Sequence, residues 1–294
     1  MKHQAGFVNI VGKPNVGKST LMNAMIGENL SIITSKAQTT RHRILGIMNG
    51  DNFQIIYSDT PGLLKPGYKL QEYMLKFART AISDADIVLF VTDTKEDPEK
   101  TGETLEHLQK LKVPILVLIN KIDLSNEEKV LGLIKEWEDA LPKSTVIAIS
   151  ALEKFNLEKV FALILENLPE SPPYYPKDEL TDKSERFFVS EIIREKILLN
   201  YQQEIPYSVE VEVESFKETD LLINISCNIY VERDSQKGIL IGHQGKGLKK
   251  VGSQARANIE DFLGKKVFLE TRVKVKKDWR NDGRFLKQSG YNPS

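Results

Sequence analysis

The segment Gly12-Lys13-Pro14-Asn15-Val16-Gly17-Lys18-Ser19 fits the pattern G-x-x-x-x-G-K-[ST]. Residues 7–11 before it read as a strand, and Leu21, Met22, Met25 and Ile26 after it recur at helical spacing. A strand, a glycine-rich loop and a helix, in that order, form the setting in which such a loop grips phosphate. Glycines let backbone N–H groups close around the anion, and the helix N-terminus adds partial positive charge. Lys18 would bring a point charge to the β- and γ-phosphates, and the Ser19 hydroxyl would serve Mg2+. The expected phosphate contacts are therefore Gly12, Lys13, Pro14, Asn15, Val16, Gly17, Lys18, Ser19 and Thr20.

Three further segments lie at expected strand ends. Asp59-Thr60-Pro61-Gly62 places Asp59 to hold Mg2+ through water and the Gly62 N–H to sense a γ-phosphate. Asn120-Lys121-Ile122-Asp123 ends an apolar run. The Asp123 carboxylate can accept hydrogen bonds from guanine N1–H and the 2-amino group, a pattern that adenine lacks. Ser150-Ala151-Leu152 ends another run and can offer a backbone N–H to the guanine oxygen. Together these segments predict a GTP and GDP site on the rim where a parallel sheet binds its ligands.

Apolar runs at 87–91, 115–119 and 146–149 read as strands covered on both faces. Residues 43–49 and 53–57 read as a strand pair around the turn Asn49-Gly50-Asp51. Helical patterns at 69–82, 101–111, 127–140 and 157–168 fall between the strands. The expectation is an α/β domain over residues 1–168, with a mixed, mostly parallel sheet flanked by helices. Four prolines among residues 168–176 exclude a helix or a central strand and mark a linker at 169–180.

Beyond the linker, residues 181–278 read as an α+β unit in the order α-β-β-α-α-β. Helices are expected at 184–201, 235–241 and 246–263, and strands at 221–231 and 267–275. In the first strand, Val209, Val211 and Val213 alternate with Glu210, Glu212 and Glu214, so its acidic face is expected to be wet and turned from any polyanion. The chain has 41 basic and 41 acidic residues, yet residues 237–287 hold 14 Lys and Arg against 5 Asp and Glu. That basic block is a candidate nucleic-acid footprint. Residues 279–294 form a tail in which Trp279 is either a base-stacking ring or a cap on the last strand.

Over residues 6–168 the four nucleotide segments resemble those of the translation-factor-class small GTPases. The resemblance implies a switch I threonine within Gln38-Thr39-Thr40-Arg41-His42, with Thr40 favoured over Thr39 to meet Mg2+ and the γ-phosphate. Lys18, Thr40 and Gly62 are then the residues expected to carry hydrolysis, and Ser19, Thr40 and Asp59 those expected to serve the metal. Arg41 could approach the phosphates or stay solvated. Leu63 stands where Ras-like members carry a water-orienting glutamine, so intrinsic hydrolysis should be slow. Asn15 resembles the asparagine with which some relatives ligate K+ beside the phosphates.

Residues 239–251 resemble the G-x-x-G loop of KH domains of the prokaryotic type (type II). In that family, small residues admit the nucleic-acid backbone while apolar faces hold the bases. The expected RNA contacts are Gly242, His243, Gln244, Gly245, Lys246, Lys249 and Lys250. Lys274, Lys276, Trp279 and Arg280, where basic and aromatic residues interleave, are expected to join them. A GTPase domain followed directly by a KH domain is similar, over the whole chain, to the Era family of bacterial ribosome-assembly GTPases. That implies a nucleotide switch that binds the 3′ end of 16S ribosomal RNA and the small ribosomal subunit, with loose association at the inner face of the membrane.

One cysteine, Cys227, excludes a disulfide framework and a cysteine-rich metal site. No long apolar stretch follows Met1-Lys2-His3, and the run at 115–119 is far short of the ~20 residues of a membrane span. A cytoplasmic monomer is the expectation. Two alternatives remain: an RNA-binding chaperone whose GTP site is mainly structural, and a GTPase acting on another RNA. A tRNA-modifying GTPase would need a reactive C-terminal cysteine, whereas Cys227 lies in an expected strand. The single phosphate loop excludes a protein with two GTPase domains.

Overall fold

The computed structural model describes residues 2–292; Met1, Pro293 and Ser294, the extremities of the expected first domain and tail, lie outside the described residues. The first part of the chain runs β1 (Gln4–Val11), α1 (Lys18–Ile26), β2 (Ile44–Asn49), β3 (Phe53–Asp59), α2 (Lys69–Ser83), β4 (Ile87–Asp93) and α3 (Glu103–Gln109). It continues with β5 (Ile115–Asn120), α4 (Glu127–Ala140), β6 (Thr145–Ala148) and α5 (Leu157–Asn167). The strands form one sheet in the order β2-β3-β1-β4-β5-β6, parallel except for β2 against β3. Period-2 alternation sends Val8, Ile10, Leu89, Leu116 and Leu118 to one face with Leu21 of α1 and Val160 of α5. It sends Val11, Val88, Phe90, Val117 and Ile119 to the other face with Leu133 and Trp137 of α4. This two-sided cover explains why the strands are apolar throughout, and it leaves their C-terminal ends free to carry loops.

Among the boundaries that differ from the sequence reading, two have a local cause. β1 starts at Gln4, where the Gln4 N–H donates to Asn52 O at 3.0 Å and a bridge reaches Glu170 in the proline-rich segment. α3 is shorter than the helical pattern at 101–111, because Gly102 at φ 53° breaks the backbone before Glu103.

The second part comprises α6 (Glu185–Asn200), α7 (Ile205–Ser208), β7 (Glu210–Glu218), β8 (Ile223–Val231), α8 (Asp234–Ile241), α9 (Lys246–Leu263), β9 (Val267–Val275) and α10 (Gly283–Gln288). β8 pairs antiparallel with β7 and parallel with β9. Ile193 and Ile197 of α6, Cys227 and Ile229 of β8, and Val251, Ala255 and Ile259 of α9 share one core. The short helices α7 and α10 were not anticipated from sequence.

The two halves meet through a smaller apolar cluster, in which Leu70 and Met74 of α2 pack with Trp279, Phe285, Leu286 and Tyr291. Trp279 is fully buried and donates from Nε1 to Ser208 O at 2.9 Å. This corrects the reading of Trp279 as a base-stacking ring, since a ring covered on both faces offers none to a base. The acidic strand needs a correction too. Glu212 and Glu214 are exposed, but Glu210 is buried, accepting from Arg41 Nη1 at 3.2 Å and from Tyr291 Oη at 2.9 Å. Among the described residues no helix is long and apolar enough to cross a membrane.

Candidate nucleotide site and nucleic-acid interface

The four signature segments converge on one cleft of ≈ 510 Å³ at the C-terminal ends of the parallel strands. Its lining includes Pro14, Asn15, Gly17, Lys18, Ser19, Thr20, Thr40, Gly62, Asn120, Lys121, Asp123 and Ser150. Gly17 sits at φ 101°, and a Cβ there would stand 2.2 Å from Asn120 Nδ2, so the position excludes a side chain on both backbone and packing grounds. Gly62 lies against the loop, where a Cβ would come 2.6 Å from Pro14 N.

Lys18 is buried, and its ammonium donates to Gly12 O at 3.0 Å and Lys13 O at 2.7 Å. Burial lowers it to about 8, against the opposing pull of Asp59 and Glu96. The Ser19 hydroxyl donates to Asp59 Oδ2 at 2.6 Å and lies 2.9 Å from Thr40 Oγ1, which itself donates to Asp59 at 3.3 Å. Three oxygen-bearing side chains from α1, β3 and the loop before β2 thus meet at one point. Asp59 is buried, and burial raises its carboxyl despite the Ser19 bond and the Lys18 charge. Its Oδ1 has no well-formed hydrogen bond among the described residues. A buried carboxylate oxygen short of a donor, beside two hydroxyls, is the donor set of a hard oxygen-seeking cation. Thr39, the other member of the doublet, turns its hydroxyl to Thr34 and to Lys36 O, both at 2.6 Å.

At the far end, Asn120 ties the phosphate loop to the base rim, donating to Val16 O at 2.8 Å and accepting from Ala151 N–H at 2.9 Å. Ser150 Oγ donates to Asp123 Oδ1 at 2.6 Å. Lys121 bonds Asn15 O and pairs with Asp93 at 3.1 Å. Leu152 and Leu124 are each more than two-thirds exposed and line the cleft beside Asp123. Leu124 was not anticipated; an exposed leucine directly after Asp123 carries no signal without the cleft. Asn15 donates from its amide nitrogen to Ser35 O at 3.0 Å. Leu63 donates its N–H to Gly12 O at 3.1 Å. Arg41, expected near the phosphates or in solvent, does neither. It is fully buried and donates to Val209 O at 2.7 Å and Pro206 O at 3.1 Å in the second half of the chain.

The glycine-rich loop of the second half joins α8 to α9 through Gly242 at φ 71°, Gln244 at φ 52° and Gly245 at φ 75°. His243, Gln244, Lys246, Lys249 and Lys250 are exposed. Tyr201 braces the loop by donating to Leu240 O at 2.6 Å. Beside the loop runs a groove between α9 and β9, lined by Gly245, Lys249, Ser253, Arg256, Leu269 and Thr271. Arg256 and Thr271 were missed, because only the fold sets them opposite each other. The structure does not bring the other basic candidates to this groove. Lys274 lies 3.5 Å from Glu214, on the same sheet face as the acidic strand. Lys276 pairs with Asp282 at 3.0 Å, and Arg280 pairs with Glu232 at 2.5 Å while covering the Tyr68 ring at 4.7 Å. The period-2 pleat separates residues 269 and 271 from 270, 272 and 274, which a linear charge count cannot do.

Residues 7–121 match a family described as 50S ribosome-binding GTPase, and residues 204–280 match the KH domain family. One similar solved structure is an Era in complex with MgGDPNP and nucleotides 1506–1542 of 16S ribosomal RNA. It is 39% identical, with 98% of this chain and 99% of that chain covered and a TM-score of 0.94. A variant of Aquifex aeolicus Era bound to GDP and AlF4− matches at 39% identity, with the same coverage and TM-score.

Proposed function

From a chain that belongs to the Era family of GTPases, with four nucleotide segments gathered in one cleft, we propose a GTP-hydrolysing switch that binds the 3′ region of 16S ribosomal RNA during small-subunit assembly. Residues 1–168 handle the nucleotide, 169–180 connect, 181–278 bind RNA, and the tail from 279 joins the halves. The observation that carries the reading is the meeting of Lys18, Ser19, Thr40 and Asp59 at one end of the cleft with Asn120, Asp123 and Ser150 at the other.

In this reading Lys18 exchanges its carbonyl partners for β- and γ-phosphate oxygens. Ser19, Thr40 and Asp59 would hold Mg2+, which when bound neutralises phosphate charge. The Gly62 N–H meets the γ-phosphate, Asp123 reads the guanine N1–H and 2-amino group, and the Ala151 N–H leaves Asn120 Oδ1 to meet the guanine oxygen. The apolar side chain of Leu63 can hold no nucleophilic water, so intrinsic turnover is slow. The Asn15 amide oxygen suits K+, which would replace the charge that an arginine finger supplies. The test is multiple-turnover phosphate release from GTP in K+ and Na+ buffers, with and without RNA. Slow release that rises at least about tenfold in K+ is expected. A single turnover would point instead to an RNA chaperone with a structural GTP site, and equal rates in the two salts would remove K+.

Phosphate favours the charged form of Lys18, so nucleotide affinity is full below about 8 and falls above it. The fall approaches about tenfold per pH unit, with a proton taken up on binding. Calorimetry at pH 9 in buffers of different ionisation heat reads that uptake, and none would contradict the role of Lys18.

RNA binding is assigned to the loop from Gly242 to Gly245, to Lys246, Lys249 and Lys250, and to Arg256 in the groove. Replacing any one of the three lysines by Gln should lower the log–log salt slope of RNA binding by about 0.7. Lys274→Gln, on the opposite sheet face, should leave it unchanged. An equal effect from Lys274 would argue against this face as the interface. We take the protein to be a cytoplasmic monomer that loosely touches the inner membrane face. The family resemblance supports this, and sedimentation with anionic vesicles tests the contact.

A further inference from the structure

Residues 38–42 are held from outside the nucleotide half at almost every position. Arg194 of α6 is buried and donates to Thr39 O and, at 3.4 Å, to Gln38 O. Glu191, one turn earlier, fixes that guanidinium at 2.7 Å on Nε and 2.5 Å on Nη2. Burial alone would raise the Glu191 carboxyl, but the charge and hydrogen bonds of Arg194 outweigh it and hold the group ionised. Arg41 runs into the carbonyls of Val209 and Pro206, and His42 stacks on Tyr291 at 4.2 Å between ring centroids. Between these anchors Thr40 turns its hydroxyl to Ser19 and Asp59.

We propose that Arg194, held by Glu191, is a positioning residue of the nucleotide site: by gripping the Thr39 carbonyl it keeps Thr40 seated where a γ-phosphate is met. The inference rests on the role given to Thr40 above. A loop that must order itself on the ligand binds with an affinity reduced by the fraction of time it is competent. Arg194 raises that fraction for GTP, whose third phosphate meets the loop. It does nothing for GDP, which lacks that group. Tight GTP binding therefore depends on the RNA-binding half being seated against residues 38–42. By linkage, RNA that shifts this seating changes GTP affinity by the same factor.

The test measures equilibrium affinities of the full chain for GDP and for a non-hydrolysable GTP analogue, both with Mg2+. Arg194→Met alone would strand the buried Glu191 charge, so it is paired with Glu191→Gln. Replacing a buried ion pair by neutral groups of similar volume commonly preserves the fold. The paired variant should lose about tenfold in analogue affinity and keep GDP affinity within about twofold. Arg194→Lys keeps the charge but loses the forked geometry and should recover only part of the loss. Thr40→Ala should cause a similar loss, and adding the α6 pair to it should cost nothing more. Equal losses for GDP and analogue, or an undiminished loss in the Thr40→Ala background, would reduce Arg194 to packing and overturn the proposal. A wild-type chain that binds neither nucleotide would overturn the nucleotide site itself, an outcome visible before any variant is made.

Discussion

Asp123→Asn moves base preference from guanine to xanthine. The rim around Asp123 is already organised: Ser150 holds one carboxylate oxygen at 2.6 Å, and Ala151 N–H and Asn120 fix the neighbouring turn. Guanine offers two donors to this acid. With Asn, one acceptor is replaced by an NH2 donor that faces the guanine 2-amino group, donor against donor. Xanthine carries an oxygen there and restores the pair. A site built to bond a polar group rejects the mismatched analogue strongly, so GTP affinity should fall by about 10²–10³ and xanthosine triphosphate should gain comparably. Competition between the two nucleotides for the variant reads this directly. Persistent GTP preference would mean that the base is read elsewhere in the cleft.

The second large effect is on stability. Arg41→Ala removes a fully buried guanidinium that bonds Val209 O, Pro206 O and Glu210. Three acceptors lose their donor, and Glu210 is left with its Tyr291 bond. Breaking a buried pair from one side costs about 3–5 kcal/mol. Burial already holds the Glu210 carboxyl above its usual range against the pull of Arg41, and without that cation it rises further. A carboxyl raised on folding loses stability as pH climbs through its folded value. The deficit of the variant should therefore be greater at pH 8 than at pH 5. Urea titrations of both proteins at the two pH values measure it. A deficit below about 1 kcal/mol, typical of an exposed pair, would refute the anchor. So would the reverse pH trend.

The nucleotide half was legible because its signals are local. The phosphate loop, Asp59, Asp123 and Ser150 each follow an apolar run long enough to name a strand, and strand ends of a parallel sheet converge by construction. The seam between the halves was not legible. Glu210 sits in a period-2 series with Glu212 and Glu214, and nothing local distinguishes the one that meets Arg41 from the two that meet water. Its partner is 169 residues away in sequence. Trp279 failed for a related reason, since an aromatic ring among lysines and arginines reads the same whether it stacks on a base or seals an interface. The split of the basic block is a matter of pleat. Lys274 and Thr271 are three residues apart and on opposite faces, so charge density along the chain does not tell which face a basic residue takes.

The chain has two tryptophans, and their settings differ. Trp137 lies in the core of the nucleotide half against Phe90, whereas Trp279 is sealed between α2 and the tail, with its indole N–H on Ser208. Any movement that parts the halves wets only the second. The molecule thus carries a built-in optical gauge: a red shift of emission confined to one indole reports the opening of the seam in real time, with no label attached.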